Sequence, residues 1–564
     1  MRNKQKEKKN INDYTNIKFE ILAIILITIF CIALAPITLQ NDTYYTIKVG
    51  EHIMQNGIDM QDPFSWHESL PYTYPHWAYD VCIYFIYFLF GMNGIYVSTC
   101  VLAVILGITI YKVNCKIVKN KLISFIITLL SMYLMQGYIA ARAQLVTFIL
   151  FTLQIYFIEN FLESKKKRYA IGLIILPIII ANFHAAVWPF YFILFLPYIG
   201  EYIIAICSDD IIYAGTIVRS LKRRIKKLSA KSDKAHKLKQ LEEKLKSIQE
   251  KNEKIKIKRQ EEKKNPYKIY INKNNNTKIL IFIMLICLFT GFLTPQTTFE
   301  PYTHIVKLMS GNTTQNINEH LPLTLINHTD ILCAIIIFIA LLTFTDSKLN
   351  LSDLFMLGGL TFLMFYSRRQ RTMFILVCGI ILNKILYQLL KKYFKEGIQK
   401  ITKLIVTKVG MFVVIGVVII ASMLIYKPKR DDEYISKSSY PVEACDWMLE
   451  NLDVQNIRIF NDYNYGSYML YRGIPVFIDS RCDLYSPEFN TKTGKKEDGQ
   501  DIFMDYIETS NLSKFYGSTF EKYDITHLIT GKKSKMNMII SKTDNENYNE
   551  IYSDKYFVIY ELVK

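Results

Sequence analysis

Zinc-ligand spacing is missing from this sequence of 564 residues, although it holds ten cysteines and nine histidines, and that excludes a structural zinc module. Missing too is the cleavage-site pattern of a signal peptide. The basic start MRNKQKEKK runs into an apolar segment that is expected to stay as an anchor. The formal net charge is +18, yet no nucleic-acid-binding motif accompanies it, so nucleic acid is not an expected partner. No internal repeat is visible. Cysteine carries little information. Cys31, Cys100, Cys287, Cys333 and Cys378 lie inside apolar runs and Cys82, Cys115 and Cys207 at their borders, which leaves Cys445 and Cys482 to pair in a polar region.

What is present is apolar length. Hydrophobic residues make up 51% of the chain and gather into runs suited to crossing a bilayer, where about 20 residues at 1.5 Å rise are needed. The runs are 20–39, 95–113, 122–135, 145–162, 169–181, 188–207, 278–294, 331–345, 354–365, 372–390 and 404–426. They predict a mainly α-helical polytopic bundle of about eleven transmembrane helices. Lys and Arg crowd the N-terminus 1–19, the turns 112–121 and 163–168, the segment 208–277 and the turn 391–403. The positive-inside bias places all of these in the cytoplasm and everything after 426 outside. Residues 78–90 are too few to cross and are expected to lie as an amphipathic helix on the outer face; counting them as a span would put ESKKKR outside.

The expected organisation is a basic N-terminus 1–19, a bundle 20–207 with an outer loop 40–80, a cytoplasmic insertion 208–277, further bundle 278–426 with an outer loop 295–330, and an α/β extracytoplasmic domain 427–564. Residues 219–264 carry 19 Lys and Arg against 7 Asp and Glu, or +12. Leu221, Ile225, Leu228, Leu238, Leu241, Leu245 and Ile248 recur there at helical spacing, which predicts a charged helical hairpin or short coiled coil. Membrane lipid headgroups are the nearest partner for it. In the last domain RIFND, YMLYR and PVFID read as strands and 444–451 as a helix. The cluster Asp479, Arg481 and Asp483 is either a salt-bridged turn or an edge that binds acceptor or partner.

The loop NDTYYTIKVGEHIMQNGIDMQDPFSWHESLPYTYPHWAYD, directly after the first run, interleaves six carboxylates and three imidazoles with Trp66, Trp77 and five tyrosines. A simple connection would be short and chemically plain. Acids move protons and flat rings cover the apolar faces of sugars, so Asp62, Trp66, His76 and Trp77 are candidate substrate-binding residues; an acidic lid capping the bundle is the plainer reading. Arg142, in QGYIAARAQ, and Arg368, Arg369 and Arg371, in YSRRQR, stand at outer helix ends against the charge bias. Either they reach headgroups or a loop carboxylate, or they bind the phosphate of a lipid carrier through guanidinium forks. His184, after Asn182, and Glu319, in a loop also holding Glu300, His304, Lys307, His320 and His328, complete the candidate substrate set. Seven of nine histidines lie on this side, but their spacing favours hydrogen bonding around an anion over a divalent metal, so no cofactor is expected to be required.

These segments resemble the GT-C class of membrane glycosyltransferases. The resemblance rests on Asp42 opening the first loop, on GEHIMQNGIDMQDPFSWHE and PHWAYDVCIYFIYFLFGMNG, on Arg142 with Gln144, on Asn182 with His184, on Arg368 with Arg369, and on RIFNDYNYGSYMLYRGIPVFIDSRCDLY. It covers most of the chain apart from the basic insertion. Protein O-mannosyltransferases of this class have two successive acids where this chain has Asn41, Asp42 and Thr43. The resemblance implies transfer of a sugar from a polyprenyl-phosphate carrier to a cell-envelope glycan or lipid on the outer face of the cell membrane. It would proceed with inversion, with Asp42 as base and Arg368, Arg369 and Arg142 at the donor phosphate. The other readings are a transporter or flippase of the lipid-linked sugar, against which the missing repeat and the crowding of polar groups at one end count, and a silent scaffold on the same fold.

Overall fold

In a computed structural model, residues 2–229, 235–262, 268–296, 299–311, 313–491 and 496–563 are described. The chain is mainly helical, and each of the eleven apolar runs is largely helical, with 188–207 divided between Trp188–Ile193 and Leu196–Ile212 and 404–426 between Lys395–Ile405 and Lys408–Tyr426. Six of the described helical stretches are long and apolar enough to cross a membrane: Ile17–Leu34, Trp77–Val118, Ala143–Ser164, Ala185–Asp209, Arg368–Tyr393 and Lys408–Lys429. Lys121–Leu134, Thr277–Phe292, Thr329–Phe344 and Leu351–Tyr366 are apolar but shorter. The first helix stops at Leu34, short of the expected 39, because Pro36 cannot continue it, and Lys429 caps its end. The Lys429 ammonium donates to the carbonyls of Ala33, Leu34 and Ala35 at 2.6, 3.0 and 3.0 Å, taking up acceptors that a helix C-terminus leaves free.

Trp77–Val118 is broken at Gly91, whose φ of 61° and ψ of −154° suit only glycine. The arm before the break exposes Phe85, Phe88, Leu89 and Phe90, while the helix after it enters the bundle core through Ala103, Leu106 and Ile110. The first outer loop is not a plain loop. It opens with a helix, Asn41–Asn56, and Gly50 lets that helix cross the arm so closely that a Cβ would collide with the Asp80 carbonyl oxygen.

Two apolar cores result. One lies among the long helices and contains Phe19, Leu145, Leu173 and Phe374. The other joins Tyr44, Tyr72, Tyr74 and Tyr79 of the first loop and arm to Phe460, Tyr468, Phe477 and Leu528 of the C-terminal segment. The loop expected to belong to the bundle thus shares its interior with residues 440–560. Ring packing carries part of that contact, with Tyr44 standing edge-on to Tyr440 and Tyr468 at 5.0 and 5.2 Å.

The C-terminal segment holds a four-stranded sheet in the order Ile459–Phe460, His527–Gly531, Phe557–Leu562, Tyr548–Ser553. The first pair is parallel and the other two antiparallel. RIFND supplies a strand as expected. YMLYR does not: it lies in the helix Tyr463–Tyr471, whose first turn Asp462 caps by accepting from the Asn464 N–H. PVFID forms no strand in the sheet. Val476 instead makes an isolated parallel bridge to Ser65 of the first loop, because the loop is the neighbour available to it. Cys445 and Cys482, the two cysteines open to pairing, are free thiols.

Candidate functional site

A chamber of about 670 Å³ opens where the helix Asn41–Asn56, the turn before Ala143, the loop after Glu300 and the C-terminal segment meet. Asp42, His76, Arg142, His184, Glu319 and Arg369 all line it, although they are as far as 327 positions apart in sequence (Asp42 to Arg369, 369 − 42).

Asp42 sits in the first turn of the helix Asn41–Asn56, where the partial positive charge of the helix start favours a carboxylate. Its surroundings hold it there. Asn41 donates from Nδ2 to the Tyr463 carbonyl at 2.9 Å, and the Thr43 hydroxyl donates to the Ala141 carbonyl at 3.3 Å. Arg142 Nη2 stands 2.6 Å from Asp42 Oδ2, and the Arg142 Nη1 group donates to Glu319 Oε1 at 3.2 Å. Oδ1 of Asp42 makes no hydrogen bond among the described residues, so one face of the carboxylate is open to the chamber. Glu319 is itself fixed by its backbone, whose carbonyl accepts from the Arg369 N–H at 2.9 Å. Burial opposes the charge of Glu319, but Arg142 and Arg369 outweigh it and hold the carboxyl below its usual range.

The arginines differ in their engagement. Arg142 is spent on Asp42 and Glu319, Arg371 on Asp330, and Arg481 on Asp62 and Asp479 at 2.7 Å each. Arg368 turns away from the chamber and donates from Nε to the Pro322 carbonyl at 3.2 Å. Arg369 lines the chamber and its guanidinium forms no ion pair among the described residues. Of this group it is the cation left to meet an incoming anion.

Four imidazoles face the same space. Burial pushes His76 down to about 3, helped by the charges of His304, Arg369 and Arg142, and His184 is held well below its ordinary range for the same reason. Their rings lie 5.0 Å apart, and His184 Nδ1 is 3.0 Å from the Thr147 hydroxyl. Burial and Arg369 also lower His320, to about 4. His304 behaves oppositely. Burial opposes its charge, but Asp483 at 3.5 Å from Nε2 and Glu300 at 2.7 Å from Nδ1 outweigh it and raise the imidazole to about 9. The chamber therefore has three neutral rings and one imidazolium clasped between carboxylates at neutral pH.

Besides Arg368, three expected site residues are elsewhere. Asp62 is buried and accepts from the backbone N–H of Ser65 at 2.9 Å and from Arg481, so its charges are consumed by the turn and the C-terminal segment. Trp66 donates from Nε1 to the Ile459 carbonyl at 3.0 Å and packs on Phe477 at 5.6 Å between ring centres. His67 next to it bonds the Phe477 carbonyl at 2.8 Å. The DPFSWH stretch is therefore a strap that fastens the loop to the C-terminal sheet. Trp77 donates to Asn182 Oδ1 at 3.0 Å and lines no part of the chamber. Conversely, the sequence placed His304 only among the outer histidines around an anion, with no role of its own, and gave Tyr463 no role. The Tyr463 side chain lines the chamber, and the charges of Asp42, Arg142 and Glu319 act on its hydroxyl. The signal for Asp483 was the polar run after PVFID, and that for His304 the histidine-bearing loop 295–330; Tyr463 had none.

No family model matches this sequence, and no curated protein is significantly similar to it. The fold nevertheless has solved counterparts among membrane oligosaccharyltransferases. The oligosaccharyltransferase of Archaeoglobus fulgidus in its apo form superposes with a TM-score of 0.50 at 12% identity, over 92% of this chain and 69% of that one. The oligosaccharyltransferase AglB of the same organism, solved with an inhibitory peptide and a dolichol-phosphate, gives 0.51 at the same identity and coverage. At such identity the likeness is one of fold.

Proposed function

We propose that this protein transfers a sugar from a polyprenyl-phosphate carrier to a hydroxyl of a cell-envelope glycan or lipid. The observation that carries the reading is the pairing, within one chamber, of an uncommitted guanidinium with a rigidly held and half-free carboxylate: Arg369 and Asp42. The presence of a dolichol-phosphate in the AglB structure supports a lipid phosphate as the anion. In this reading Arg369 neutralises the phosphate as the bond between it and the anomeric carbon breaks. Asp42 accepts the proton of the acceptor hydroxyl as that oxygen bonds the same carbon from the opposite side, which inverts the configuration. Phosphate leaves without protonation, so one carboxylate suffices. Neutral His76, His184 and His320 are available to hydrogen-bond sugar hydroxyls, and Arg142 with Glu319 orients Asp42. No step in this scheme draws on a metal ion. The accompanying topology has the eleven apolar runs crossing the cell membrane, with the chamber and the C-terminal segment on the outer face.

The test is turnover of purified protein in detergent with a set of radiolabelled polyprenyl-phosphate sugars and envelope acceptors. Product formed without two compartments supports an enzyme and counts against a flippase. Donor binding without product, in the native chain and in Asp42→Asn alike, would overturn the enzymatic reading and leave a scaffold, a role to which the Asp42–Arg142 ion pair is equally suited.

A further inference from the structure

The chamber leaves the chain's densest charge unexplained. The helix Leu196–Ile212 runs away from the chamber end, and at its close Lys273 pairs with Asp209 at 2.6 Å while Asn274 donates to the Leu162 carbonyl at 2.9 Å. This is the end of the bundle that also carries the basic turn at Lys165–Arg168. The chain then turns at Ala214, which takes the left-handed φ of 46°, and enters the helix Gly215–Ser229. A second helix, Ala235–Glu262, packs back along it, pinned at the base by Asn252 donating to the Tyr213 carbonyl at 2.8 Å.

The two faces of the first helix have different uses. Leu221 is 5% exposed, and Ile225 and Leu228 are half-buried on the same side, so the apolar stripe is consumed within the hairpin. The opposite side carries Lys222, Arg223, Lys226 and Lys227, all exposed and without an ion pair among the described residues. With Arg219 and Arg224 this helix has six cations and no carboxylate, whereas the second helix mixes nine with six. Arg219 lies seven positions past the end of the preceding apolar helix, just beyond the turn at Ala214, so the tether keeps the start of the stripe close to the bilayer. Ile211 and Ile217, 80% and 52% exposed, flank the turn at that level.

We propose that this face of the hairpin docks on anionic phospholipid headgroups of the leaflet from which the helix Leu196–Ile212 emerges. Unpaired cations, the missing carboxylates and attachment to a membrane helix all select a charged lipid surface over a soluble polyanion, since the tether keeps the stripe within screening distance of the bilayer. The apolar stripe, hidden in the hairpin, leaves electrostatics as the binding force, so the contact should yield to salt.

Full-length protein in nanodiscs separates the possibilities. Backbone hydrogen exchange of residues 215–229 is compared in phosphatidylcholine alone and with about 30% phosphatidylglycerol. Exchange should slow about tenfold in the anionic discs, return to the neutral-disc rate at about 0.5 M salt, and show no slowing in a variant carrying Lys222→Gln, Arg223→Gln, Lys226→Gln and Lys227→Gln. Unchanged exchange of 235–257 in that variant shows that the hairpin persists. Equal exchange in both discs, or slowing that survives the four substitutions, would overturn the proposal. Slowing in neutral discs on adding a labelled oligonucleotide, without slowing in anionic ones, would also overturn it and assign the face to nucleic acid.

Discussion

At one end of this molecule cations are counted out singly; at the other they are massed. At the chamber end Arg142, Arg371 and Arg481 each have a carboxylate partner, and Arg481 is 6% exposed with two. At the far end Lys222, Arg223, Lys226 and Lys227 stand in solvent without partners among the described residues. The difference is dielectric. An exposed lysine keeps its hydration and costs little unpaired, whereas a guanidinium taken out of water must find carboxylates within hydrogen-bonding reach. Half-exposed Arg369 breaks the rule of its own end, and such an exception is where a charged substrate is expected.

The comparison is broken most severely at Arg481. Arg481→Ala strands Asp62 and Asp479 in the interior and should destabilise the joined loop and C-terminal unit by about 3–5 kcal/mol, measured as denaturant unfolding of that unit. Removing any one of the four hairpin cations should leave stability unchanged on the same measurement. If the two ends respond alike, burial is not what separates them.

Next in size is Asp42→Asn, which preserves shape and removes the proton acceptor. Turnover should fall at least about a hundredfold with donor affinity nearly constant. Loss of affinity at unchanged turnover would make the residue a binding group.

Arg369 and Arg368 sharpen the contrast within one turn. Arg369→Ala should weaken binding of a polyprenyl-phosphate sugar about tenfold to a hundredfold, the worth of a charge-assisted bond, while Arg368→Ala and Lys165→Ala should change it less than about twofold. Equal losses at Arg368 and Arg369 would remove the phosphate site from the chamber.

The smallest effect is expected at His304. Its imidazole rises from an ordinary 6.5 to about 9 in the fold, so its clasp on Glu300 and Asp483 is complete below pH 6.5 and is lost as pH climbs through about 9. Glu300 and Asp483, both held below their usual range against burial by His304, lose their contribution when pH falls through their lowered values. Protease cleavage in 299–311 should accelerate above pH 9, and His304→Gln should abolish the alkaline step.

Much of this was legible in residue order. Apolar runs place the helices because a bilayer or a bundle core demands length and hydrophobicity, and both are local properties. The basic turns, the charged helices Gly215–Ser229 and Ala235–Glu262 and the gathering of Asp42, Arg142, His184 and Arg369 at one end follow from counting along the chain. Local reading failed where a segment's conformation depended on what lay against it. YMLYR has the β-rich composition of a strand but is helical, because Asp462 caps it and Gly466 lets it press on the Ile478 carbonyl. DPFSWH has the acids and rings of a sugar site, yet its polar atoms are consumed by Arg481, Ile459 and Phe477.

The sequence by itself determined a helical membrane-type bundle, its two differently charged ends and the polar residue types gathered at one of them, since composition and period act through solvation alone. Only the tertiary structure decided which of those residues face open space. Whether a carboxylate or guanidinium is free depends on the nearest opposite charge, and here that charge lies far away in sequence: Arg481 for Asp62, Asp42 for Arg142, and no ion-pair partner among the described residues for Arg369.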